Sequence, residues 1–124
     1  MTAWTKDELS KIGGAEEVEV AAVARNGAVR NRVTIWVVRH GEDLYVRSVR
    51  GRSGAWYRAV QRAKDGRIWA AGLERDIRFE EAGPGINAEI DAAYKTKYRR
   101  YAGRILNSCL TPEALSTTLR LVPR

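Results

Sequence analysis

Several residue types that mark particular chemistries are nearly missing from this 124-residue sequence. There is one cysteine, Cys109, so no internal disulfide can form; a reducing, cytoplasmic setting is the expectation. There is one histidine, His40, in an expected turn, and no spacing of His, Cys, Asp or Glu suits zinc. No serine stands in a nucleophile-elbow context, and no Walker-type loop is present. The acidic pairs Glu16-Glu17 and Glu80-Glu81 are adjacent, so along a strand their carboxylates point to opposite faces. Acid–base catalysis by the chain's own side chains is therefore not expected. No apolar run approaches the ~18 residues that cross a membrane. The start Met-Thr-Ala-Trp-Thr-Lys-Asp-Glu lacks the basic and apolar segments of a secretory leader.

What the chain does have is arginine, unevenly placed. The net charge is +7, yet residues 25–67 carry eleven cations against three acids, and ten of the eleven are arginine. The guanidinium fork matches phosphate and carboxylate, where lysine offers only a point charge. The flanking segments are acidic (1–24) or nearly balanced (68–124). Apolar residues make up 44% of the chain, which suits one folded domain over 1–124.

Local patterns divide the chain into short elements. Thr5-Lys6-Asp7-Glu8 reads as a capping box ahead of a helix that ends at Gly13-Gly14. Residues 18–23 alternate as a strand, and Asn26-Gly27 signals a hairpin. Arg32 to Val38 reads as a second strand and Leu44 to Arg50 as a third, joined by the turn His40-Gly41-Glu42-Asp43. After Gly51-Arg52-Ser53-Gly54 a helix carries Trp56, Ala59, Val60 and Ala63 on one side. Ile68 to Leu73 makes a fourth strand, and Asp76 to Glu80 continues the sheet after a kink. A helix from Asn87 to Ala102, a turn capped by Thr111, and a closing strand over 117–122 complete the chain. The expected fold is α+β: a small antiparallel, barrel-like sheet with a helix inserted after the third strand and a C-terminal helix. The barrel core is expected over 18–80, with the C-terminal helix and closing strand over 86–124.

The densest feature is the run from Tyr45 to Arg58. A strand that enters a glycine-flanked loop and then a helix leaves several amides without internal partners. Those amides carry partial positive charge and accept phosphate. Ser48 and Ser53 add hydroxyls, and Arg47, Arg50 and Arg52 add charge. Three or four charge-assisted bonds at ~1.5–3 kcal/mol each give micromolar affinity. The alternative is an ordinary turn with solvated arginines. Trp36, Trp56 and Trp69, with Tyr57, form either an aromatic wall for a planar ligand or simple core.

These residues resemble a known group. Trp36-Val37-Val38-Arg39-His40-Gly41-Glu42-Asp43-Leu44-Tyr45-Val46-Arg47-Ser48 resembles the second and third strands of the FMN-binding split barrel. Gly51-Arg52-Ser53-Gly54-Ala55-Trp56-Tyr57-Arg58 looks like the loop and helix that follow in deazaflavin-dependent nitroreductase relatives. The chain is also similar to a small uncharacterised bacterial family in that group, and the C-terminal third matches only that family. The resemblance implies a split β-barrel homodimer with FMN or a deazaflavin in a groove between subunits. It also implies phosphate contacts from Arg47, Ser48, Arg50, Arg52 and Ser53, a cleft lined by Trp56 and Tyr57, and Thr34 and Trp36 near the ring. Arginines stand where FMN oxidases of the group carry a Lys-rich phosphate signature. A flavin- or deazaflavin-dependent oxidoreductase is the leading expectation. A cofactor-free ligand-binding or structural homodimer is the alternative, and a nucleic-acid-binding module is less favoured.

Overall fold

In the computed structural model, which describes residues 3–124, seven antiparallel strands form one sheet that curls back towards itself. The elements follow the local signals closely at the N-terminus. Helix α1 (Lys6–Gly14) opens with a complete capping box: Thr5 Oγ1 accepts from the Glu8 amide, and Glu8 Oε1 accepts from the Thr5 amide. Strand β1 (Val18–Ala22) follows, and the Asn26-Gly27 turn begins the return, with Asn26 Oδ1 accepting from the Ala28 amide. The next strands are β2 (Val33–Ile35), β3 (Val38–His40) and β4 (Asp43–Val46). Helix α2 (Ala55–Ala63) leads into β5 (Asp65–Ala70) and β6 (Leu73–Glu81). Helix α3 (Asn87–Lys97), the short α4 (Arg104–Asn107) and α5 (Pro112–Leu115), and β7 (Leu119–Pro123) close the chain.

The sheet order is β2-β1-β5-β6-β7-β4-β3. Its two outermost strands, β2 and β3, are consecutive in the chain and separated only by Trp36 and Val37. One extended segment therefore serves both edges, which makes the sheet a split barrel. This corrects the expectation of a single strand over residues 32–38, and it moves the inserted helix to follow the fourth strand. The physical reason lies in residues some sixty positions away. The break leaves the buried Val37 backbone without strand partners, and α3 supplies them: the Val37 amide donates to Tyr98 Oη (3.1 Å), while Tyr98 Oη and Lys97 Nζ donate to the Val37 carbonyl (3.0 and 2.6 Å). The Glu16 carbonyl, 2.7 Å from Tyr98 Oη, shares that single hydroxyl proton with the Val37 carbonyl.

A second correction concerns residues 68–80. The strand expected to run through Leu73 ends at Ala70, and the chain reverses there in a tight hairpin instead of kinking, with Ala70 paired to Leu73 and positive φ at both Ala71 (51°) and Gly72 (81°). Two left-handed residues match the twist of the flanking strands, and Ala71 accepts that conformation without the usual Asn or Asp. The helix expected through Ala102 stops at Lys97 and continues only as a 3₁₀ turn over Arg99–Tyr101.

Two apolar clusters fill the fold. Inside the barrel are Val20, Leu44, Val46, Ile68, Ile77, Phe79, Leu119 and Leu121, with Trp4, Leu9 and Ile12 from the N-terminal segment. Trp4 Nε1 donates to the Leu121 carbonyl at 2.9 Å. Outside the β3–β4 edge, Ile90, Tyr94 and Tyr98 of α3 pack on Val38 and Tyr45, together with Leu106 and Cys109. Strand β4 is thus covered on both faces, and every residue from Leu44 to Ser48 is buried. No helix among the described residues is long and apolar enough to cross a membrane.

Candidate functional site

Two hollows meet beside the barrel seam. One, about 220 Å³, is lined by Thr34, Trp36, Arg47, Trp56, Tyr94 and Cys109, with Val49 and Ile105 among the other residues of its wall. The second, about 270 Å³, lies between β2 and the start of α2, where Ser48, Arg50, Gly54 and Ala55 line it. Both share Thr34, Ile35, Val49 and Trp56, so they form one cleft with an aromatic end and a basic end.

The basic end is made by the loop after β4. Residues 51–53 form a 3₁₀ turn, and Gly54 is the N-cap of α2 with no side-chain cap. The first amides of α2 therefore face the hollow without a capping side chain, and the helix dipole favours an anion there. Arg50 stands beside them, exposed and without an acidic partner among the described residues. Gly54 is required by close packing: a Cβ there would lie 2.8 Å from Ser48 Oγ and 3.4 Å from Arg50 Cβ.

The other sequence-expected residues sort by their partners. Arg47 is wholly buried and saturated from within. Its guanidinium donates to Asp91 Oδ1 (2.6 Å), Thr118 Oγ1 (2.9 Å) and the Cys109 carbonyl (3.0 Å), with Asn87 completing the shell. It walls the aromatic hollow while its hydrogen bonds tie β4 to the C-terminal third. Ser48 lines the basic hollow, but its hydroxyl donates to the Gly51 carbonyl, and Ser53 Oγ donates to the Arg50 carbonyl. The Gly51 and Gly54 amides are likewise used, by the Ser48 and Gly51 carbonyls. Arg52 points elsewhere, donating to the Ser116 carbonyl (3.2 Å) and lining a separate hollow with Glu81 and Pro84. Tyr57 is 1% exposed in the barrel core, its hydroxyl donating to Glu81 Oε1 at 3.3 Å. The cleft thus gathers Thr34, Trp36, Arg47, Ser48, Arg50 and Trp56, and leaves Arg52, Ser53 and Tyr57 outside.

Trp36 is held face-on against Tyr98, with ring centroids 3.8 Å apart and planes 3° from parallel, and Tyr101 lies tilted to it at 5.2 Å. The aromatic end also contains residues not assigned to a site from the sequence: Glu17, Ile35, Val49, Tyr94, Ile105, Ser108 and Cys109. Most come from the C-terminal third, and no local pattern announces that they return to the cleft. Burial raises the Cys109 thiol above its ordinary range, against smaller lowering effects of Ser108 and Arg47, so it stays protonated at neutral pH. Burial likewise lifts the Tyr94 phenol far above its usual value. Neither group is poised to exchange protons near pH 7. Val49 and Ile105, at 52% and 56% exposed, leave an apolar rim.

Curled sheet, inserted helix and seam cleft define a split β-barrel protein, and solved structures with a similar fold are found across the length of the chain. An F420 reductase is 18% identical, with 98% of this chain and 94% of that one covered and a TM-score of 0.59. HutZ, a heme storage protein from Vibrio cholerae, is 13% identical over 96% of this chain and 89% of that one, at 0.65. A putative pyridoxamine 5′-phosphate oxidase from Listeria innocua is 12% identical over 94% and 88%, at 0.60. A search of curated proteins finds no match. Residues 8–121 match the model of DUF2255, uncharacterized proteins conserved in bacteria, and the chain belongs to that family.

Proposed function

We propose that the cleft holds a phosphate-bearing flavin or deazaflavin and that the protein is a cofactor-dependent oxidoreductase. One observation carries the reading: an aromatic-walled hollow adjoins, across the shared residues Thr34, Ile35, Val49 and Trp56, a second hollow at an uncapped helix start flanked by Arg50. The residues present fit such a group. The start of α2 carries no side-chain cap, and Arg50 beside it is exposed and has no acidic partner among the described residues. When bound, the cofactor supplies the hydride chemistry, and the protein supplies binding, orientation and local charge. Two titratable groups of the aromatic hollow, Cys109 and Tyr94, are held neutral, and the Glu17 carboxylate also lines it.

Each side chain then has a task. The α2 amides and Arg50 bind the phosphate; Trp36 and Trp56 flank the planar ring; Thr34 offers a hydroxyl at the junction. Fixed by its stack on Tyr98, Trp36 presents a rigid wall. The exposed Val49 and Ile105 rim is where a second copy of the chain closes the cleft, so the working form is a homodimer, and its setting is the cytoplasm. Support comes from titrating FMN and F420 separately into the protein while following tryptophan fluorescence. Binding of either, lost in Gly54→Val, is the expected result. No quenching by either cofactor at tens of micromolar overturns the proposal.

A further inference from the structure

A third hollow lies further along α2. It measures about 210 Å³ and is lined by Ala24, Arg25 and Arg30 from the β1–β2 connection and by Ala59, Arg62 and Ala63 from the helix. Three of its six lining residues are arginines, and no acidic side chain lines it. Among the described residues, none of the three is in an ion pair or donates a side-chain hydrogen bond. Some arginines elsewhere are matched, Arg32 with Glu19, Arg67 with Glu74 and Asp76, Arg120 with Glu80, while Arg50, Arg58, Arg78, Arg99 and Arg104 form no ion pair among the described residues. What sets these three apart is that they line one hollow together. Arg58 and Arg62 are both exposed and four residues apart on α2, so they share one stripe of the helix. That stripe runs from the basic end of the cleft, at Ala55, to the third hollow. The seven steps from Ala55 to Arg62 span about 10 Å at the helical rise.

Like charges gathered round one hollow repel each other, at a cost that salt screens only in part. An anion removes that cost and can use the guanidinium forks in pairs. The volume equals that of roughly seven liquid waters, enough for a phosphate or carboxylate with its hydration partly kept. The span from Arg50 to Arg62 exceeds what a single phosphate can bridge, whereas a chain of linked anionic groups can follow it.

We propose that the hollow formed by Arg25, Arg30 and Arg62 is a second anion site, which takes the outer charged groups of an oligoanionic small molecule bearing linked phosphates or carboxylates. That the same ligand places its inner phosphate at Arg50 rests on the function proposed above. The second site itself does not.

The test is calorimetric titration of inorganic tripolyphosphate, and of tri-glutamate as the carboxylate counterpart, into the whole protein. Three variants accompany it: Arg25→Gln/Arg62→Gln, Arg50→Gln, and the charge-matched Arg78→Gln/Arg99→Gln on other surfaces. Wild type is expected to bind at least one of the two probes, and which one identifies the source of the charge. Each arginine removed from the hollow should weaken binding about tenfold, the lower range for a charge-assisted hydrogen bond at an exposed site. Arg78→Gln/Arg99→Gln should shift it less than threefold. Unchanged circular dichroism and melting would show that the exposed substitutions leave the fold intact. Tripolyphosphate binding that survives when FMN and F420 fail to bind would remove the cofactor reading and keep this one. No binding of either probe to wild type, or equal losses in the hollow and control variants, overturns the proposal. So does tight binding of a single-stranded oligothymidylate that tripolyphosphate cannot displace, which would make the face a nucleic-acid surface.

Discussion

Removing one hydroxyl at the barrel seam should cost far more than removing its neighbour's. Tyr98→Phe keeps the ring that stacks on Trp36 but deletes the oxygen that accepts the Val37 amide and shares its one proton between the Glu16 and Val37 carbonyls. Val37 is 0% exposed, so its amide cannot turn to water. A buried donor left unpaired costs about 1–3 kcal/mol; with Lys97 still serving the Val37 carbonyl, about 2 kcal/mol is the expected loss. For a chain of this size that lowers the melting temperature by about 6–10 °C. Tyr101→Phe is the internal control. Its ring also touches Trp36, but its hydroxyl bonds only the exposed Glu16 carboxylate and Arg100, so about 0.5 kcal/mol or less should be lost. Equilibrium urea unfolding of the two variants measures both, with unchanged m-values confirming a native-state effect. Equal destabilisation of the pair would refute the claim that α3 holds the strand break through the Tyr98 oxygen.

Other consequences follow from named contacts. Arg47→Met should destabilise by about 3 kcal/mol, below the full cost of breaking a buried ion pair because Asp91 keeps some access to water; thermal melts with Asp91→Asn for comparison check it. Burial of the Lys97 ammonium lowers its pKa to about 8. Between that value and about 10.4 the unfolded chain holds the extra proton, so wild-type stability should rise with pH relative to Lys97→Met, and be offset by a constant amount below pH 8; unfolding at several pH values and an NMR titration of Lys97 test this. At Glu8, burial pushes the carboxyl up, but the Thr5 amide and the Arg75 guanidinium outweigh it and hold the pKa below its ordinary value. The stability it supplies is present above about pH 4.3 and is lost as pH falls through the lowered pKa. Glu8→Gln should flatten the acid limb of the stability curve.

Legibility in the sequence tracked the range of the interactions. The α1 cap, the Asn26-Gly27 turn and the Thr111 cap are made by residues within three positions of each other, and each was readable. The break at Trp36-Val37 was not, because Val33 to Val38 alternates like one strand; only Tyr98 and Lys97 show why the chain can stop pairing there. The Ala71-Gly72 reversal hid because alanine rarely adopts positive φ. The same rule governs the site. Strand and loop signals around residues 48–56 located the basic end of the cleft, since glycines and a helix start are local features. The partners that draw Arg47 inward, Asp91, Asn87 and Thr118, lie 40 or more positions downstream. Ile105 and Cys109, at the aromatic end, are equally remote.

The central claim is that the cleft is anchored by phosphate at its basic end. Equilibrium dialysis of FMN against riboflavin measures that anchor directly, because the two ligands share a ring and differ in the phosphate. Two charge-assisted hydrogen bonds at about 1.5 kcal/mol each predict FMN binding more than about 100-fold tighter, with most of the difference gone in Arg50→Gln. Equal affinities for FMN and riboflavin would contradict the account.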